Sequence, residues 1–341
     1  MYKKCCFMRK YFFLFSFISL SFVLVSCNNN RFKINVKNNP VKVDIKRIDK
    51  QIISMDTSQV LSVLNALSAE YPEFYENYVD VWEMEASDTL EICGLFREFL
   101  SDSLQRAVHA DVLKTFGDVS DIEDKISKGY TYIKHYFPEI KLPDIYFFVG
   151  GFNRSLIAGS DFLAIGTDLY LGRDYSLYKS LTYDYLTYNM DPEGIPVDII
   201  STVITRAYRF DPDKDRLIDN ILYRGKMLYL LSTFMPDETK QNIIGYSSEQ
   251  WDWSEAHEKQ IWARMIEQKH LFSSELPLVR KYINDAPFTA PISQDSPGRL
   301  GTWIGWQIVE SYMNKNKDVS LRQLLEMNDY QKLLEASGYR P

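Results

Sequence analysis

The stretch Asp285–Asn314, DAPFTAPISQDSPGRLGTWIGWQIVESYMN, decides the fold. Its first half carries Pro287, Pro291 and Pro297. Proline fixes φ and removes a backbone donor, so this half is neither regular helix nor central strand. Behind the Pro297-Gly298 turn, Trp303, Trp306, Ile308, Val309, Tyr312 and Met313 recur at helical spacing and predict a helix with a wide buried stripe. Gly301 and Gly305, four apart, leave a smooth strip on one face where another backbone can come close. An irregular arm ending in such a helix must be laid across something already folded, which we take to be most of the preceding chain.

The opposite end of the chain has a different character. Lys3, Lys4, Arg9 and Lys10 precede an almost unbroken apolar run from Tyr11 to Val25, and Leu24-Val25-Ser26-Cys27 closes it. The run is short for a membrane span and suits a secretory signal over residues 1–26. Its last four residues read as a lipobox, so Cys27 is expected to carry diacylglycerol and, after cleavage, an N-terminal fatty acid such as palmitate. The Asn-rich residues 27–40 then form a lipid-anchored tether, and 41–341 form one globular domain.

Loss of the signal removes four of the 39 basic residues and leaves 35 against 46 acids, a net charge of −11. That balance argues against nucleic acid, whose binding rests on basic surface. It offers no polybasic patch to a membrane either, so the acyl chains must do the anchoring. With no acids directly behind Cys27, the periplasmic face of the outer membrane is favoured. Cys5 and Cys6 leave with the signal and Cys27 takes lipid, so only Cys93 remains and no intrachain disulfide is possible.

Within the domain, Val41, Val43 and Ile45 alternate with polar residues and predict a short first strand. Helices follow from Asp49 to Phe137. Their expected inner faces carry Leu61, Leu64 and Leu67, then Leu95, Phe99 and Leu100, then Ile122, Ile126, Tyr130 and Ile133. Ser120 or Asp121 is expected to cap the last of these helices, and Pro138 to stop it. His109 and His135 have no second ligand at i+3 or i+4 and read as surface or partly buried histidines. Ile145–Val149 and Phe162–Gly166 read as neighbouring strands. Gly172 is expected at positive φ in a structural loop, with Asp168 and Asp174 capping helix starts rather than holding a cation. Helices return at 196–210, 215–234 and 247–270. The fold class is α+β, predominantly α-helical with a small sheet.

The run APFT, then SPGRLGTWIGWQIVESYM, then the chain end ASGYRP resembles the gliding-motility lipoprotein family GldB, found in gliding bacteria and their non-gliding relatives. Asp168 two residues before Tyr170-Leu171-Gly172 fits the family pattern as well. The resemblance covers about Val41 to Pro341. It implies an outer-membrane lipoprotein whose partners are other envelope motility or secretion proteins. The order of a small sheet, two helices joined by a short turn and a Gly-rich helix further resembles zinc peptidases of the HExxH type, a zincin-like (gluzincin) fold. Those enzymes need two histidines at i and i+4, a glutamate between them and a third ligand from the next helix. Here Ser201–Tyr208 contains no histidine. Arg224-Gly225 stands where related predicted peptidases have Glu-Gly, and a guanidinium cannot ligate a divalent metal.

The expectation is therefore a protein with no catalytic residues, no metal and no cofactor beyond the lipid on Cys27. If the cleft of such an enzyme persists, its floor is cationic, from Arg206, Arg224, Lys226 and Arg299 beside Trp303 and Trp306. Such a floor suits a carboxylate-bearing peptide or cell-wall strand. Two other readings stay open, an envelope hydrolase with a cryptic site and a glycan-binding uptake lipoprotein.

Overall fold

The computed structural model describes residues 31–83 and 89–341. The signal, the lipobox and Cys27 lie outside the described residues. Ile34–Pro341 forms one compact unit, separate from the residues before it. This unit thus begins inside the stretch expected to be tether: the Ile34 amide already reaches the Tyr132 hydroxyl. Among the described residues no helix is long and apolar enough to cross a membrane.

In chain order the unit opens with β1 (Lys46–Arg47), α1 (Ile48–Ser54), α2 (Val60–Glu70), α3 (Pro72–Asp80), α4 (Thr89–Ser101), α5 (Ser103–Thr115) and α6 (Ser120–Tyr136). Pro72 separates α2 from α3 by occupying the first turn, where a missing N–H costs nothing. Two of the expected inner faces turn slightly. In α2, Val60, Leu64 and Leu67 are buried and Leu61 is 45% exposed. In α4 the buried stripe is Ile92, Cys93, Phe96 and Phe99, leaving Leu95 and Leu100 at its margin. At the start of α6 neither Ser120 nor Asp121 caps; the Asp118 carboxylate takes the Ser120 amide at 2.9 Å instead.

The sheet is mixed. β2 (Asp144–Phe148), β3 (Leu156–Ala158) and β4 (Phe162–Gly166) join β1 in the order β1-β2-β4-β3. β1 and β4 run parallel to β2, and β3 returns antiparallel on β4. The two apolar runs expected to be neighbours are neighbours, and every residue of β4 is buried.

Val41–Ile45 corrects the expectation of a first strand. Val43 and Ile45 are buried, but their amides pair with side chains of α6 and not with another strand. Val41 N–H donates to Thr131 Oγ1 at 2.9 Å, Val43 N–H to Ser127 Oγ at 3.0 Å, and Ile45 N–H to Glu123 Oε1 at 2.8 Å. Donors two apart on an extended chain are spaced by about 6.6 Å. Acceptors four apart on a helix are spaced by about 6 Å, so the two ladders stay in step.

The second half holds α7 (Tyr178–Leu181), α8 (Asp184–Thr187), α9 (Ile195–Ala207), α10 (Leu217–Phe234), α11 (Lys240–Ile244), α12 (Ser248–Glu267), α13 (Leu276–Ile283), α14 (Leu300–Lys315), α15 (Leu321–Glu326) and α16 (Tyr330–Ser337). At its centre α14 crosses α10 with backbones touching. A Cβ on Gly305 would stand 1.8 Å from the Ile221 carbonyl oxygen, and one on Gly225 would stand 2.3 Å from the Gly305 carbonyl. The smooth strip read from Gly301 and Gly305 is this crossing, with Gly225 as its counterpart on the partner helix. Trp303 and Trp306 flank it with no exposed surface, and Trp251 of α12 meets both rings nearly edge-on at 6.1 and 6.0 Å.

The proline-rich arm is pinned by one side chain. Thr289, fully buried, donates its hydroxyl to the Pro297 carbonyl at 2.8 Å and accepts the Leu300 amide at 3.2 Å. It thereby satisfies a donor in the first turn of α14 from eleven residues upstream.

Candidate functional site

The six residues expected to line one cationic floor are distributed over several environments. Arg224 and Lys226, both on α10, are two positions apart and so point about 200° apart around the helix. Lys226 is buried, donates to the Leu325 and Met327 carbonyls at 3.1 Å each, and lies over the Tyr330 ring at 4.8 Å. Its ammonium ties the C-terminal helices to α10, and burial pushes its pKa down to about 8. Trp303 and Trp306 are enclosed core residues whose ring faces are unavailable to a ligand.

Arg224 and Arg299 belong together. Arg299, at the start of α14 in the left-handed region (φ 58), pairs with Asp285 at 3.0 Å and donates to the Gly245 carbonyl at 3.2 Å. Arg224 is half-buried; burial lowers its pKa, and Arg299 acts in the same direction while Tyr223 and Asp285 oppose. Asp198 of α9 accepts the Tyr170 hydroxyl at 2.8 Å. Burial raises the Asp198 pKa to about 6, against the opposing effects of Tyr170 and Arg299. Asp198 and Tyr170 were not singled out from the sequence. The sequence held no clear signal, because Asp198 falls at helical spacing with Ser201, Thr202 and Thr205 and reads as part of the polar side of α9.

Arg206 stands elsewhere, in the last turn of α9, where its guanidinium donates to the Gly159 carbonyl at 2.6 Å. It lines a cavity of about 470 Å³ formed by the link from α6 to β2, the β3–β4 turn, the end of α9 and α15. Lys141, Tyr208, Arg322 and Glu139 share the wall. Arg322 pairs with Glu139 at 2.7 Å, and Lys141 pairs with Asp161. Among the described residues Arg206 has no ion-pair partner.

Asp168, Gly172 and Asp174 cap no helix. Asp168 lies within a short 3-10 turn, almost fully buried, and accepts the amides of Gly150 and Phe152 at 3.2 and 2.7 Å. Gly151 and Phe152 both take positive φ, 61 and 65, which turns those amides inward onto the carboxylate. Desolvation raises the Asp168 pKa to about 6 against these donors. Gly172 has the expected positive φ, 115, whereas Asp174 is exposed in the following turn and begins no helix.

The four histidines are scattered. His109 is buried and not at the surface, because it packs against the Phe99 ring at 4.8 Å; desolvation lowers its pKa to about 4. His135 is exposed. His257 bonds the Trp253 carbonyl at 2.7 Å, and His270 the Tyr282 hydroxyl at 3.0 Å. Among the described residues no group of three or more His, Cys, Asp or Glu gathers in a way that could hold a metal ion.

Architecture and polar groups together define a mostly helical α+β domain whose second half is built on the α10–α14 crossing and whose basic side chains serve several separate places. The family described as gliding motility protein GldB matches residues 29–341, and the chain belongs to that family of gliding-motility-associated lipoproteins. No curated protein matches the chain. No solved structure matches it either.

Proposed function

We propose that the protein is a non-catalytic component of the cell envelope, anchored through lipid on Cys27 at the periplasmic face of the outer membrane, and serving as a scaffold or binding element of a motility or secretion-associated assembly. Membership of the family supports the motility and lipoprotein parts of this reading. The observation that carries the non-catalytic part is the use made of the α9, α10 and α14 interface. Its space is taken by backbone contact at Gly225 and Gly305, and its polar groups are two arginines with Asp285 and an Asp198–Tyr170 pair. Such a set supplies no imidazole to a metal and no side chain arranged as a nucleophile with its base. The zincin-like cleft, on this reading, is filled and wired with cations. A glycan-uptake role through the expected Trp303 and Trp306 would need open ring faces, which these buried side chains do not offer.

In a gliding host, deletion of the gene should stop colony spreading, and a wild-type copy should restore it. A Cys27→Ser copy should fail and should leave the membrane fraction. Normal gliding of the deletion strain would remove the motility reading, and stoichiometric zinc in the purified full-length protein would remove the non-catalytic one.

A further inference from the structure

We infer that the cavity around Arg206 is a binding site for the carboxylate end of a peptide. The proposal rests on the pocket alone and stands independently of the scaffold reading.

Four separate parts of the chain meet to form the cavity, and about 470 Å³ is within the range of small-ligand sites. Three cations face it against one acid, in a protein whose overall balance is acidic. Arg322 and Lys141 already have carboxylate partners, Glu139 and Asp161. Arg206 does not. It spends one donor on the Gly159 carbonyl, and a guanidinium has five N–H groups in a rigid fork. Part of its charge balances the carbonyl end of α9, which is worth about half an elementary charge. The remainder of the fork fits a planar carboxylate through two parallel hydrogen bonds.

The rest of the wall chooses between sources of that carboxylate. Ile140, Pro143 and Val203 supply apolar surface suited to one aliphatic side chain next to the acid group. Sugar recognition uses open aromatic faces, and the cavity has only Tyr208, whose ring is already held against Phe137 at 5.5 Å. Ser160 is likewise engaged, its amide and hydroxyl bound by Glu73 at 2.7 and 2.6 Å. A peptide terminus with an aliphatic last residue matches this wall better than an acidic glycan does.

The test uses the full-length protein in detergent and fluorescence polarisation at low salt. The probes are a dye-labelled hexapeptide ending in leucine with a free carboxylate, its C-terminal amide, and a dye-labelled galacturonic acid hexamer. Saturable binding of the free acid is expected, with at least a tenfold weaker affinity for the amide and for the Arg206→Ala protein. Arg206 is exposed and its bond within the fold is to the Gly159 carbonyl, so that variant should still unfold cooperatively, with a thermal midpoint only slightly below the wild type. Arg206→Lys should recover only part of the affinity, and Arg224→Ala should bind like the wild type. Equal binding of acid and amide, unchanged binding by Arg206→Ala, or no saturable binding of the acid would overturn the site. Tighter binding of the galacturonic acid hexamer would overturn its assignment to peptides.

Discussion

Asp168 shows how a single buried carboxylate fixes a loop at a cost set by pH. Its pKa of about 6 lies above the ordinary 3.8, because desolvation outweighs the amides of Phe152 and Gly150. The stability tied to this group is therefore fully present below pH 3.8 and is lost as pH rises through about 6. Asp198 shifts in the same direction. We expect Asp168→Asn, which keeps an acceptor for the Phe152 amide, to lose less stability than the wild type between pH 4 and 6. The difference should be on the order of 2 kcal/mol in urea titrations at the two ends of that window. An identical pH slope in both proteins would refute this. Lys226 works the other way. Its folded pKa, about 8, is below the ordinary 10.5, so the unfolded chain binds the extra proton between those values and stability rises with pH across that window. Lys226→Met should flatten the rise from pH 8 to 9.5, below the range where tyrosines titrate. It should also lose about 1–3 kcal/mol at neutral pH, because the Leu325 and Met327 carbonyls lose their donor. Residues 224 and 226 also mark a limit of reading sites from sequence. Their helical spacing already separated them, and they were placed in one cleft because Arg224-Gly225 stands where related predicted peptidases have Glu-Gly, with the nearby cations added to its floor. The enclosure of Trp303 and Trp306, by contrast, was legible as an apolar stripe.

At the scale of elements, the α10–α14 crossing depends on three missing side chains. Gly305→Ala would drive a methyl into the Ile221 backbone, and backbone cannot rotate away as a side chain can. The expected loss is about 3 kcal/mol or more, read as a lowered urea midpoint. A midpoint within error of the wild type would mean that the helices part more easily than their contact implies. The glycine pattern announced this crossing because close approach leaves a spaced signature. The attachment of Val41–Ile45 to α6 left none. An alternating segment predicts a strand whatever its amides bond to, and Glu123, Ser127 and Thr131 read as the polar side of an amphipathic helix. Ser127→Ala should leave the Val43 amide without its partner, at a loss of about 1 kcal/mol. Hydrogen exchange at residue 43 should then quicken more than at residue 45, and uniform protection across the segment would argue against the side-chain ladder. Thr289 escaped notice for a related reason, since a cap reaching in from eleven residues away has no local motif.

For the whole molecule, the cysteine count left Cys93 without a partner, and the fold places that thiol in the core between Ile92 and Phe96 of α4. The chain-end motifs led to the family that matches residues 29–341. The candidate site was less legible, because the chain's cations are divided between ion pairs, a lysine clasp and the cavity at Arg206, and only contacts in space separate those uses. One feature bears on how such a protein would carry load. Tension applied at the N-terminal side would enter the fold along the extended segment that ends at β1, whose pairing with β2 is parallel. A pull in line with α6 strains the bonds at Glu123, Ser127 and Thr131 simultaneously, whereas a pull away from the helix peels them one after another. The same three hydrogen bonds would thus resist load along one axis and yield to it across that axis, as a direction-sensitive clutch does.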